Sequence, residues 1–102
     1  MSRGAGTNGF GGRLLRSLVA DAALRGVTLT LIDAAERPWA SATFVGSRHT
    51  LRVALSGADA TAWLAALPEA DLPIPGCLVA DVAVDRSGGD AALLTVLLID
   101  PA

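Results

Sequence analysis

The sequence predicts an α+β fold: a mainly antiparallel sheet of about five strands with two helices, in the order α-β-β-β-α-β-β. Three observations predict it. Two segments repeat apolar residues at three- and four-residue spacing, and five others are short, β-rich or alternating runs. Short turn sequences also join several of the strands directly, which suits hairpins better than parallel crossovers. A chain of 102 residues fits one domain and buries roughly two thirds of its unfolded surface, so a core forms without staples.

Residues 1–12 hold five glycines and read as a flexible lead-in, which leaves residues 13–102 as the domain. Between Arg13 and Arg25, the residues Leu15, Leu18, Val19 and Ala22 fall on one helical face, and Gly26 supplies a left-handed cap. Val27 to Asp33 alternates as a strand, and Glu36, Arg37 and Pro38 break it. Trp39 to Val45 and His49 to Leu55 form the next two strands, joined by a turn at Gly46-Ser47-Arg48. In the second of these, His49, Leu51, Val53 and Leu55 share the core face. Ser56 opens a second helix with Ala60, Trp63, Leu64 and Leu67 inward, and Pro68 ends it.

The last two strands are Gly76 to Asp85 and Ala91 to Ile99, around the turn residues Arg86-Ser87-Gly88-Gly89. In the first, Leu78, Ala80, Val82 and Val84 fill one face, and Asp81 joins Cys77, Val79 and Ala83 on the other. The final strand is apolar on both sides, with Leu94, Val96 and Leu98 on one and Leu93, Leu97 and Ile99 on the other. Such a strand is central or is covered by another subunit, and the expected partner is a second copy, giving a homodimer.

Composition narrows the function. Net charge is −2, all eight basic residues are Arg, and only four residues are aromatic, so no nucleic-acid partner is expected. The apolar stretch Leu14 to Leu24 is interrupted by Arg16 and Asp21, and no membrane partner is expected either. One Cys and one His do not make an ordinary zinc site, and a lone Cys suits a reducing, cytoplasmic setting. Gly4-Ala5-Gly6-Thr7-Asn8-Gly9 matches the letters of a dinucleotide-binding loop, but only three residues precede it, where the motif needs a strand. No cofactor is expected.

His49 is the one side chain that titrates near neutrality, and Asp81 is an acid within an apolar run. If their faces met they would make a base oriented by a carboxylate, with Cys77 nearby. Otherwise His49 caps the sheet and Asp81 faces solvent. Arg48 and Arg52, with Arg37, are candidates for an anion-binding patch, and Trp39 for a ligand-flanking aromatic. The function expected from the sequence is a non-catalytic binding or structural homo-oligomer. Its alternatives are a small-molecule-binding module with an apolar pocket, or a hydrolase or lyase using His49 and Asp81.

Overall fold

A computed structural model describes residues 10–85 and 90–100. Helix α1 (Phe10–Ala23) leads into strands β1 (Thr28–Ala40) and β2 (Val45–Ser56). Helix α2 (Ala60–Ala66) and a 3-10 turn (Leu67–Glu69) follow, then strands β3 (Leu78–Asp85) and β4 (Ala91–Asp100). The strands form one antiparallel sheet in the order β1-β2-β4-β3. The α+β class with two helices holds, and the sheet has four strands where the sequence suggests about five. Because β4 is antiparallel to both β2 and β3, those two run parallel with β4 between them, and α2 lies in their connection.

The missing strand is a fusion. Residues expected as two strands broken at Glu36-Arg37-Pro38 run through as β1, paired with β2 from Thr28–Ser56 to Ala40–Val45. Pro38 interrupts nothing because β1 is an edge strand, where a residue lacking an N–H is tolerated. The reversal falls instead at residues 41–44. There the Ser41 hydroxyl accepts the backbone N–H groups of Thr43 and Phe44, and the Ser41 N–H donates to the Phe44 carbonyl at 2.8 Å. Gly46, Ser47 and Arg48, expected as a turn, lie inside β2. Gly46 is needed there because a Cβ on it would collide with the Leu98 carbonyl of β4.

Helix α1 begins at Phe10, so Gly11 and Gly12 belong to its first turn; residues 1–9, with the Gly-rich loop motif, lie outside the described residues. Its buried stripe is Leu14, Leu18 and Ala22, with Leu15 half-buried and Val19 exposed. Gly26 takes φ +70, the Gly26 N–H reaches the Ala23 carbonyl, and the Val27 N–H reaches that of Ala22. This paired closure turns the chain sharply into β1. Helix α2 starts after Asp59, not Ser56, which remains in β2. It buries Trp63 and Leu64, and the Trp63 indole donates to the Asp21 carboxylate at 2.8 Å, tying α2 to α1.

Both helices lie on one face of the sheet. Leu51, Val53 and Leu55 of β2 and Ala92, Leu94, Val96 and Leu98 of β4 meet the helical stripes there. Burying each large aliphatic side chain stabilises the fold by about 1.5–3 kcal/mol. Among the described residues, no helix is long and apolar enough to cross a membrane.

Replacing Gly46 by Ala drives a methyl group into main chain that has no freedom to yield. The expected cost is about 1–3 kcal/mol or more, read as a lower midpoint in urea unfolding. An unchanged midpoint contradicts the close approach of β2 and β4.

Candidate functional site

Alternation along the strands settles which side chains the helices leave uncovered. Rows across the outward face, read from β1 to β3, are Asp33–Arg52–Leu93–Asp85, Ala35–Thr50–Thr95–Ala83, Arg37–Arg48–Leu97–Asp81 and Trp39–Gly46–Ile99–Leu78. Leu93 and Leu97 are half-buried, and Leu78 is 59% exposed. Leu93 and Leu97 are thus the apolar side chains that β4 presents on this face, separated by Thr95 and flanked by charged side chains, while Ile99, in the same phase, is already buried within its own chain.

The three candidate arginines gather on this face. Arg37 and Arg48 are direct cross-strand partners, an arrangement that destabilises a sheet unless something answers the charge. Arg52 stands opposite Asp33. Among the described residues, Arg37, Arg48, Arg52, Asp81 and Asp85 have no ion-pair partner within the chain. Trp39 sits beside Gly46 at one end of the face and is half-buried.

Asp81 lies on the outward face because it alternates with Val82 and Val84, and β3 shifts register just before it, between Val79 and Asp81. The shift reverses part of the expected pattern: Leu78 points outward, while Val79 joins Val82 and Val84 on the helix side. His49 is on the helix side, in a row with Val96 and Val82. The sheet itself separates His49 from Asp81, so the structure does not bring that pair together.

His49 has other partners. Its Nε2 lies 2.7 Å from the Ser47 hydroxyl, and its Nδ1 lies 3.9 Å from a Glu36 carboxylate oxygen. A hydroxyl, an imidazole and a carboxylate in this order have the composition of an activated-nucleophile triad. The chemistry needs access, and His49 is 3% exposed and Ser47 7%. The carboxylate is also beyond hydrogen-bond reach. Burial pushes the His49 pKa below its usual 6.5, and the nearby Glu36 charge only partly opposes that shift. A neutral imidazole satisfied by the Ser47 hydroxyl inside the sheet is the chemistry this arrangement supports. Ser47 and Glu36 escape sequence reasoning because their strand is broken there on paper; the i, i+2 spacing of Ser47 and His49 was the available signal.

Cys77 is half-buried, with Sγ 3.9 Å from the Ile74 carbonyl oxygen. Burial raises its pKa, Arg13 lowers it and Asp100 raises it further, with burial the largest effect, so the thiol stays protonated at neutral pH. Two grooves on the surface are open and superficial. One of about 470 Å³ runs between α1 and the Pro73–Pro75 segment, where Arg13 donates to the Pro75 carbonyl. Another, of about 520 Å³, lies between residues 68–74 and β3. Neither is an apolar cavity between helices and sheet. No protein-family model, no curated protein and no solved structure matches the chain.

The His49 environment sets a pH dependence. Its folded pKa is below the unfolded 6.5, so between those values the unfolded chain binds a proton that the native chain refuses. Stability from this group is present above about pH 6.5 and falls as pH drops toward the folded pKa. Urea midpoints should fall from pH 7.5 to 5.5 in the natural chain and fall less in His49→Gln. Parallel profiles for the two proteins contradict the buried neutral imidazole.

Proposed function

We propose that this chain is a non-catalytic binding or structural protein of a reducing cytoplasmic compartment, acting as a homodimer closed through the open face of its sheet. The observation that carries the reading is the placing of Leu93 and Leu97, with the exposed Leu78 of β3, on the face opposite both helices. Large apolar side chains on an uncovered sheet face favour an interaction site in a soluble protein. A face of four strands about 4.8 Å apart and ten residues long covers about 600 Å². Two copies therefore bury about 1,200 Å², the lower bound for a specific and stable interface.

Pairing by strand edges is the rival route, and the edges argue against it. At the β1 edge the register shifts between Leu31 and Asp33, and Glu36, Arg37 and Pro38 follow. The β3 edge carries its own shift and two aspartates. Such features blunt strand addition. The non-catalytic part of the reading is supported by the burial of the hydroxyl–imidazole pair, which leaves no reactive group facing a cleft there.

Sedimentation equilibrium at about 1–100 μM should give twice the 10.3 kDa mass of one chain. Leu97→Arg should weaken association by more than about a hundredfold, since a buried leucine in each copy contributes about 1.5–3 kcal/mol. A chain of 10.3 kDa throughout that range contradicts the reading, as does a Leu97→Arg variant that associates as well as the natural chain.

A further inference from the structure

Charge on the open face is not mixed but divided. The β1–β2 half carries Arg37, Arg48 and Arg52 against Asp33, a net +2, while the β3 half carries Asp81 and Asp85, a net −2. The apolar stripe of β4 lies between the two halves. A surface antisymmetric in charge about its own midline is complementary to a second copy of itself, turned so that the halves exchange places.

We infer that the two copies pack face to face about a twofold axis parallel to the strands, with Arg37 and Arg48 of each copy against Asp81 of the other. This rests on the dimer proposed above and adds its geometry. Rotation about that axis reverses each row onto itself. The row Arg37–Arg48–Leu97–Asp81 then lies over its own reverse, so Arg37 stands over the second copy's Asp81 and Arg48 over its Leu97. An arginine stem covers leucine well while its guanidinium reaches on to the adjacent carboxylate. The small row Ala35–Thr50–Thr95–Ala83 lets the two sheets approach. At the end of the face, Trp39 covers the second copy's exposed Leu78.

The other aligned arrangement, with the axis across the strands, fails on charge. With the axis at the Ala35–Thr50–Thr95–Ala83 row, it sets the row of Arg48 and Asp81 over that of Arg52 and Asp85, so Arg48 faces Arg52 and Asp81 faces Asp85, two repulsions against the one attraction of Arg37 for Asp33. The favoured arrangement has one kind of like-charge contact, Asp33 over Asp85, made twice by symmetry, with Arg52 beside each Asp33 to offset it. Aligned sheets do pack face to face at about 10 Å with a modest angle, as this requires.

A charge-reversal exchange tests the geometry. Asp81→Arg turns the cross-copy attractions of both Arg37 and Arg48 into repulsions, and Arg48→Asp reverses the one made by position 48; both positions are exposed, so the fold should persist, and melting curves check that. Each variant alone should associate at least about tenfold more weakly than the natural chain. Mixed in equal amounts, they restore attraction between positions 48 and 81 at both contacts, against one repulsion between Arg37 and position 81, and native mass spectrometry should show the heterodimer in excess over either homodimer. The milder pair Arg48→Gln and Asp81→Asn should weaken association and its salt dependence without restoring pairing on mixing. If the natural chain dimerises but neither reversal weakens it, or mixing yields no heterodimer preference, the geometry is wrong and self-association stands. If the natural chain is monomeric throughout, self-association and its geometry both fall. Binding of an unrelated acidic protein to the arginine half, with no self-association, also overturns the inference.

Discussion

Everything in this molecule hangs on the pairing of β2 with β4. It joins residues 45–54 to residues 91–100, and its register from Val45–Asp100 to Ala54–Ala91 decides which side chains face the helices. Strand β1 is added to the free side of β2, and β3 to the free side of β4. The pairing is tight enough at one end that Gly46 admits no side chain beneath the Leu98 carbonyl. Because side chains alternate with period two, a slip of one residue here would turn Leu51, Val53, Leu94 and Val96 out of the core.

A sheet fixed in this way has two faces and too little helix for both. Helix α1 has 14 residues and α2 has 7, lengths of about 21 Å and 10 Å. They cover the inner face, where Leu14, Leu18, Trp63 and Leu64 pack, and none remains for the outer one. The asymmetry accounts for the two fates of polar groups. His49 and Ser47 on the covered side are sealed and satisfy one another; Arg37, Arg48 and Asp81 on the uncovered side have no ionic partner among the described residues.

Much of this was legible in the residues. The alternation of His49, Leu51, Val53 and Leu55 identified the inner face of β2, and Gly26 marked the sharp exit from α1. The doubly apolar β4 announced a sheet with more apolar surface than two helices cover. What stayed hidden depends on partners rather than on neighbours in sequence. Pro38 reads as a breaker unless its strand is known to be at an edge, and Gly46 reads as a turn unless a second strand is known to press against it. The register shift before Asp81 was equally invisible, and it is what turns Leu78 outward and Val79 toward the helices. The grouping of Arg37 with Arg48 follows from the fused β1, so it too came only with the register.

The central claim is that one face of the sheet belongs to a second copy of the chain. An isotope-filtered NOE experiment on a mixture of methyl-labelled and unlabelled chains tests it most directly. Intermolecular cross-peaks should arise from the methyl groups of Leu78, Leu93 and Leu97, and not from Leu14, Leu18 or Leu94 beneath the helices. Cross-peaks confined to the edge residues Leu31 and Ile32, or none at concentrations of about 1 mM, would contradict it.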